Sequence, residues 1–351
     1  MNKIDSVLLL LPRQHTNIKG WLYYFRKSNI QCSIFVTRTS PFETDLVSEK
    51  KLLVSIWCLI WRIIFNRIKT QHSYSIIRAD RFVHTILLAV AVSLSGGRGC
   101  LYCQVPEKWF KNRNLDRRLI ALRFKILSRL TKLRVGTCLP ENIDFRAEHR
   151  CGRSLFFPLL PCVTGMHNQI HPPQAFCSQD WTRLNFVTIG KFVQRKNFLK
   201  ILIGINSKFC ASQFHITFIG ECTTSQHRQY LSLLKQEINS LNLNSNVSIK
   251  TNIPPSKVFD DVERDSIFIF DSHSEPAIWS PVEANFLGYK VIVPRTYTTN
   301  PYLDTGVMFT EDFLKISAAK FQRFSCCELH NSHCLAGKLN SIENHFEEFL
   351  L

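Results

Sequence analysis

The sequence predicts an α/β fold in which two Rossmann-like lobes, each a doubly wound parallel sheet, face a central cleft. Three observations support this prediction. The chain has 351 residues, more than one hydrophobic core usually fills, so two domains are expected. Hydrophobic residues make up 45% of the chain, which is enough for two cores. In both halves short apolar runs alternate with segments of helical periodicity, and this order is typical of parallel sheets.

The first half begins with a buried strand and continues as alternating strands and helices. A glycine-rich break, Gly96-Gly-Arg-Gly99, ends one of its helices. The last helix has apolar residues at helical spacing and a strongly basic opposite face. Predicted strands cover Ser6–Leu11, Cys32–Thr37, Tyr74–Arg78, Cys100–Gln104, Leu133–Thr137 and Leu155–Phe157, and predicted helices cover Lys19–Ser28, Leu52–Phe65, Val83–Ser95 and Asp116–Lys132.

The second half repeats the alternation more clearly. Between Pro158 and Trp181 the chain has four prolines, few charges and no periodicity, so residues 166–182 are predicted to connect lobes 1–165 and 183–334. Residues 335–351 are predicted to form a C-terminal helix. Predicted strands cover Phe186–Ile189, His215–Ile219, Val247–Lys250, Ile267–Phe270 and Val291–Val293, and predicted helices cover Asn197–Cys210, Ser225–Leu241, Pro255–Val262 and Ser280–Leu287.

The net charge of +17 lies almost entirely in the first half. Residues 1–180 contain 27 Lys and Arg against 11 Asp and Glu, whereas residues 181–351 contain 17 against 16. This asymmetry indicates an anionic partner for the first half: membrane headgroups, a phosphate-bearing substrate or nucleic acid. Ordinary solvated surface cations are the alternative.

The cysteines and the hydropathy pattern favour a cytoplasmic protein. The 13 cysteines are odd in number and lack the spacing of a disulfide framework. No segment reaches the roughly 18 apolar residues of a spanning helix. The apolar stretch Leu52–Phe65 contains Trp57 and Trp61 and has basic ends, so it is either an interfacial helix on the inner face of the cytoplasmic membrane or a buried core helix. The cluster Cys326–Cys334 matches no standard zinc site.

A cationic loop follows the first strand of the second half. Gly190 allows a tight turn, and Asn197 is a good N-cap for the next helix. Backbone N–H groups at a helix start, together with Lys191, Arg195 and Lys196, form a ready site for a diphosphate. Solvent exposure is the alternative explanation for three cations in a loop.

Two carboxylates follow the strand that ends at Phe270, in the segment DSHSEPAIWSPVE. Glu275 lies in a loop, and Glu283 opens the next helix. In open α/β sheets this crevice is where ligands bind. Glu283 also has a structural explanation, because Ser280, Pro281 and Glu283 fit a capping box. Glu275 is a candidate for binding sugar hydroxyls, although it could also be a solvated loop residue.

These motifs together resemble a known family. The segments Gly190–Asn197, Phe218–Glu221, Ser274-Glu275, Glu283–Gly288 and Val291–Val293 are similar to the C-terminal lobe of the retaining family-4 glycosyltransferases, of the GT-B fold and the bacterial polysaccharide or O-antigen type. The resemblance covers roughly residues 184–310 in register. In the first half only the order of strands and helices is similar.

The resemblance implies a role for each matching residue. Lys191 and Lys196, after Gly190, would neutralise the donor diphosphate. Glu275 would contact the donor sugar as the catalytic residue, and Glu283 would bind the ribose hydroxyls. The remaining donor contacts would come from Ala277, Ile278 and, near the nucleobase, Ile253. No metal and no cofactor beyond the nucleotide-sugar donor would be needed.

The sequence also departs from the family. Pro276 stands where the family commonly has glycine, and proline offers no N–H to a phosphate. The glycine-rich loop after the first strand is absent, so no catalytic or acceptor-binding residue is assigned in the acceptor-side first lobe.

The resemblance implies a metal-independent hexosyltransferase that uses a nucleotide-diphosphate-sugar. The acceptor would be a saccharide or a lipid-linked saccharide in cell-surface polysaccharide synthesis, reached through peripheral contact of the basic lobe with an anionic membrane. A non-catalytic or epimerase protein of the same fold is one alternative. A basic nucleic-acid-binding protein is another, disfavoured because no RNP, KH or helix-turn-helix signature is visible.

Overall fold

The structure is a computed structural model that describes residues 4–13, 19–38, 51–53, 55–70, 73–78, 82–103, 126–127, 130–131, 133–137, 154–156, 183–254, 257–260, 262–272, 279–297, 303 and 306–326. The chain divides into two units. The first comprises Met1–Gly165 with Lys338–Leu351, and the second comprises Met166–Gly337.

The first unit is built on a parallel sheet whose strands follow the order β3-β2-β1-β4-β5-β6-β7. Because strands are added first on one side of β1 and then on the other, the sheet is doubly wound, as predicted. The strands are β1 (Ser6–Arg13), β2 (Gln31–Arg38), β3 (Lys51–Leu53), β4 (Tyr74–Ile77), β5 (Arg98–Cys103), β6 (Arg134–Thr137) and β7 (Ser154–Phe156), and the helices are α1 (Lys19–Lys27), α2 (Ile56–Ile64) and α3 (Phe82–Leu94).

The predicted helix Leu52–Phe65 is shorter in the structure. Residues 51–53 pair with β2 as an edge strand, and α2 begins at Ile56. The reason is the cap: the Ser55 hydroxyl accepts a hydrogen bond from the backbone N–H of Cys58 at 3.2 Å, which satisfies an N–H group that has no partner within the helix. Most of the predicted helix Asp116–Lys132 lies outside the described residues.

The second unit contains a second parallel sheet, with the order β10-β9-β8-β11-β12-β13. Its strands are β8 (Leu184–Ile189), β9 (Phe214–Gly220), β10 (Val247–Thr251), β11 (Ile267–Ile269), β12 (Lys290–Pro294) and β13 (Val307–Thr310), and its helices are α4 (Phe198–Asn206), α5 (Ser225–Ser240), α6 (Trp279–Phe286) and α7 (Ala318–Cys326). The sequence did not predict β13. The predicted α-helix Pro255–Val262 is not seen in the described residues 257–260, which form a 3-10 residue and a turn.

Phenylalanines fill the core of the second unit. The ring of Phe321, on α7, makes edge-on contacts with Phe186, Phe209 and Phe313 at centroid distances of 5.7, 5.8 and 5.7 Å. Phe186, Phe313 and Phe321 are almost fully buried. Burying each such side chain contributes about 1.5–3 kcal/mol, so this cluster holds α7 and the 3-10 helix Phe313–Lys315 beneath the sheet.

The strand order of the second sheet defines its binding crevice. From β8 the chain adds β9 on one side and later β11 on the other, so the strand order reverses between β8 and β11. Ligands of open α/β sheets bind outside the carboxyl ends of the strands at such a point. The residues that follow β8 and β11 in this unit are Gly190–Asn197 and Asp271-Ser272.

Candidate functional site

The loop after β8 is fixed at both ends. The N–H of Gly190 donates to the carbonyl of Ile219 at 3.0 Å, and the N–H of Phe192 donates to the carbonyl of Glu221 at 3.2 Å. The Phe192 side chain is buried, and its ring meets that of Phe198 edge-on at 5.4 Å. Lys191 and the polar residues Gln194–Lys196 are therefore held on a backbone tied to the end of β9.

Gly220 is required where this loop approaches β9. A Cβ added at Gly220 would lie 1.9 Å from the carbonyl oxygen of Gly190, which no real side chain allows. Gly190 leaves room for a side chain and not for backbone, since a Cβ there would lie 3.0 Å from Cε of Lys196. The absence of a side chain at Gly190 thus lets the Lys196 side chain lie against the end of β8.

Three cations converge in this loop. Burial, together with the nearby Arg195 and Lys191, lowers the pKa of Lys196 to about 7. A cation held next to two others and away from water favours its neutral form. A bound anion would relieve this repulsion, which is the electrostatic signature expected of a phosphate-binding site.

Lys191 is oriented by a carboxylate. Its Nζ lies 2.9 Å from Oε2 of Glu221, and the hydroxyl of Thr223 donates to Oε1 of the same carboxylate at 2.8 Å. Although burial alone would raise it, these hydrogen bonds lower the pKa of Glu221. Glu221 and Thr223 follow β9, so the neighbouring strand end positions the first lysine of the loop.

Asn197 links the loop to the other side of the switch point. Its backbone is left-handed, with φ 55°, and its side chain makes no cap hydrogen bond to α4. Instead Nδ2 donates to the carbonyl oxygen of Asp271 at 2.7 Å and to Oδ2 at 3.1 Å. The predicted N-cap position is therefore correct, but the side chain serves a different purpose.

The Asp271 carboxylate, which is 2% exposed, is also held by an ion pair. Nζ of Lys200 on α4 lies 2.8 Å from Oδ2 of Asp271 and 3.0 Å from Oδ1 of Asp312. Asn197 and Lys200 together fix the end of β11 against the start of α4. Sequence reasoning missed this network because Lys200, Asp271 and Asp312 are far apart in the chain and belong to no spacing pattern.

A third connection reaches the loop after β12. The hydroxyl of Tyr297 donates to the carbonyl of Ser272 at 2.7 Å. Burial lowers the pKa of Arg195, and the nearby Tyr297 opposes that shift. Tyr297, which the sequence analysis did not single out, therefore lies close to both the cationic loop and the residue after Asp271.

Two of the other predicted site residues, Ile253 and Glu283, lie in the described part of the chain. Ile253, half-buried, follows β10, where the Asn252 side chain accepts from the N–H of Cys222 at 2.7 Å. Glu283 is half-buried on α6, which packs on β11 and β12. That helix begins at Trp279, so Ser280 lies in its first turn and not at the predicted N-cap position.

Glu275, Ala277 and Ile278 lie outside the described residues. The structure thus places Gly190, Lys191 and Lys196 together at the end of β8. It places Ile253 at the end of an outer strand and Glu283 on the helix after β11. All five belong to the carboxyl side of one parallel sheet. Within the described residues no group of three His, Cys, Asp or Glu side chains could hold a metal ion.

Two doubly wound parallel sheets in tandem make up the GT-B fold, and solved structures with that fold match nearly the whole chain. HepE from Anabaena, solved with UDP-glucose, has a TM-score of 0.68 and 9% identity over 98% of this chain and 99% of that chain. A glycosyltransferase from Rickettsia africae has a TM-score of 0.64 and 13% identity over 100% and 96%. The lipopolysaccharide outer core galactosyltransferase WaaB has a TM-score of 0.58 and 12% identity over 98% and 97%.

At such identities the similarity establishes the fold. No protein-family model matches the sequence, and no curated protein sequence matches it significantly. The length and apolarity needed to cross a membrane are not combined in any helix of the described residues.

Proposed function

We propose that the protein is a retaining glycosyltransferase that moves a sugar from a nucleotide-diphosphate-sugar to a saccharide or lipid-linked acceptor. The observation that carries the proposal is the convergence of Lys191, Arg195 and Lys196 at the switch point of the second sheet. A cluster of three cations at this place suits a diphosphate. The similar HepE structure contains UDP-glucose, which makes a uridine donor the first to test.

The proposed chemistry follows from where charge develops. As the glycosidic bond breaks, negative charge accumulates on the leaving nucleoside diphosphate, and fixed cations stabilise it without reorganising. Lys191 and Lys196 have this role. Backbone groups of Ala277 and Ile278 would add further donors, and no metal or cofactor is invoked.

Glu275 and Glu283 bind different parts of the donor. Glu275 contacts the transferred sugar and is the catalytic residue, and Glu283 accepts hydrogen bonds from the ribose hydroxyls. Ile253 lies beside the nucleobase. Retention of anomeric configuration and the assignment of Glu275 both derive from the family resemblance. A double-displacement or front-face reaction would give the same retained product.

We further propose that the acceptor belongs to cell-surface polysaccharide synthesis. One similar structure is that of a lipopolysaccharide outer core galactosyltransferase, and the first half of the chain carries the basic excess. A lipid-linked acceptor is anionic and is presented at the inner face of the cytoplasmic membrane, so a basic acceptor lobe with peripheral membrane contact is expected.

The decisive experiment begins with a thermal-shift screen of nucleotide-sugars. A donor at a hundred times its Kd should stabilise the protein by roughly 2.7 kcal/mol. Lys196→Met should abolish the stabilisation, whereas Lys235→Met, on the exposed face of α5, should leave it unchanged.

Product analysis then separates the reactions. With the donor identified, Glu275→Gln should retain donor binding and lose transfer. A wild-type protein that epimerises the donor sugar without an acceptor would be an epimerase, and one that binds donor without turnover would be a non-catalytic relative. Equal transfer by wild type, Lys196→Met and Glu275→Gln would refute the proposed site.

A further inference from the structure

Helix α2 exposes an aromatic surface that the fold of the first unit leaves uncovered. Trp57 and Trp61 are each 59% exposed, and Ile64 and Phe65 are similarly exposed. Trp61 lies four residues after Trp57, and Ile64 and Phe65 lie three and four residues after Trp61. These four residues, here called the α2 face, therefore share one side of the helix. The opposite side carries the buried residues Ile56, Leu59, Ile60 and Ile63.

The α2 face is rigidly presented. The rings of Trp61 and Phe65 are stacked, with centroids 4.7 Å apart and planes 4° from parallel. The Ser95 hydroxyl donates to the carbonyl of Ile63 at 3.0 Å, which holds the end of α3 beside the end of α2. Leu94, which immediately precedes Ser95, is 76% exposed.

The size of the surface sets it apart from ordinary exposed side chains. Four large side chains that are about half exposed present on the order of 400 Å² of apolar area. Patches of this size on a single protein commonly mark an interaction site. In the described residues of the second unit, by contrast, the exposed large apolar side chains are three aliphatic ones, Ile203, Leu233 and Leu314.

The charge around the α2 face specifies an anionic occupant. From residue 50 to residue 79 the sequence contains no Asp or Glu. Arg67 and Lys69 follow the helix and are exposed, and Arg62 is half-buried within it. A second copy of this chain would bring the same cations against these, since a two-fold interface pairs one patch with itself. Like charges would then oppose one another.

Exposed indole rings with flanking cations match the chemistry of a bilayer surface. Tryptophan places its apolar ring at the acyl boundary and its N–H among the headgroups. Lysine and arginine bury their stems and keep their charge at anionic headgroups. We propose that the α2 face, together with Arg67 and Lys69, docks this protein on an anionic phospholipid bilayer. The purpose of this docking, which is to bring the protein to a lipid-linked acceptor, rests on the proposed function.

The test is co-sedimentation of the full chain with vesicles of phosphatidylcholine alone or mixed with phosphatidylglycerol, without any nucleotide-sugar. Wild type should bind the anionic vesicles at least about 25-fold more tightly, because Arg67 and Lys69 near the surface each contribute about fivefold. A double variant, Trp57→Gln with Trp61→Gln, should lose at least about tenfold of this binding. The pair Arg67→Gln and Lys69→Gln should lose about 25-fold on anionic vesicles and show a smaller salt dependence.

Two exposed apolar residues of the second unit provide a matched control. Ile203→Gln with Leu233→Gln removes exposed apolar area outside the α2 face and should leave vesicle binding unchanged. Equal vesicle binding by wild type and the tryptophan variant, or no binding by wild type, would overturn the proposal. A wild-type dimer that the tryptophan variant converts to monomer would instead assign the face to a second copy. Failure of donor binding with vesicle binding intact would count against the proposed function alone.

Discussion

Lys196 should make donor binding depend on pH in a range where the donor itself does not titrate. In the free protein burial, Arg195 and Lys191 lower the pKa of Lys196 to about 7. A diphosphate beside its Nζ would stabilise the protonated form and return the pKa toward the ordinary 10.5. Binding then takes up a proton whenever the free protein has released it. The perturbation is simply a rise in pH through neutrality.

The magnitude follows from linkage. Below pH 7 Lys196 is protonated in both the free and the bound protein, so affinity is constant. Above pH 7 the free protein loses the proton that the complex keeps, so affinity falls as pH rises. Between about pH 6.0 and pH 8.5 the Kd should increase by about 30-fold, and proton uptake should rise from about 0.1 to nearly 1 per donor bound.

Calorimetric titration of the stabilising nucleotide-sugar in buffers of different ionisation enthalpy measures both quantities. Lys196→Met should bind weakly at every pH, with a flat pH profile. Lys235→Met, whose side chain lies on an exposed face, should retain the wild-type profile. A constant Kd with no proton uptake in the wild type would refute the reasoning, because it would mean that no anion binds beside Lys196.

Three further variants test how the loop is held. Gly220→Ala should lower the free energy of unfolding by about 2–4 kcal/mol, because its Cβ would lie 1.9 Å from the Gly190 carbonyl oxygen. A variant as stable as wild type in denaturant and thermal unfolding would show that the close approach does not exist. Lys200→Met should cost about 1–3 kcal/mol in chemical denaturation, since it leaves the buried Asp271 carboxylate without its 2.8 Å ion pair, whereas Lys235→Met should cost almost nothing. Asn197→Ala should be about 1 kcal/mol less stable than Asn197→Gly, because only glycine accepts φ 55° without strain; equal stabilities would contradict a left-handed residue.

Local sequence patterns determined the class of fold. Parallel strands buried on both faces need continuous apolar runs, so the strands of the two sheets stand out without any knowledge of their partners. The sequence also predicted that Gly190–Asn197 is a cationic loop in front of a helix, because a glycine, three cations and an N-cap residue follow one another there. It failed at β3, which lies in the same apolar stretch as α2, and at β13, because short edge strands carry weak patterns.

Side-chain contacts between residues far apart in the chain could not be predicted from the sequence and became visible only in the folded structure. Asn197 is correctly placed before α4, yet its side chain bonds to Asp271, which lies 74 residues away. No pattern near Lys200 in the sequence predicts its ion pair with the Asp271 carboxylate.

For α2 the sequence left two possibilities open, a buried core helix or an interfacial one. Folding buries one side of the helix and leaves Trp57 and Trp61 outside. Helical periodicity states which residues share a face. Which face meets the core is decided by the sheet that packs against it, and a stretch that is apolar all round does not encode that choice.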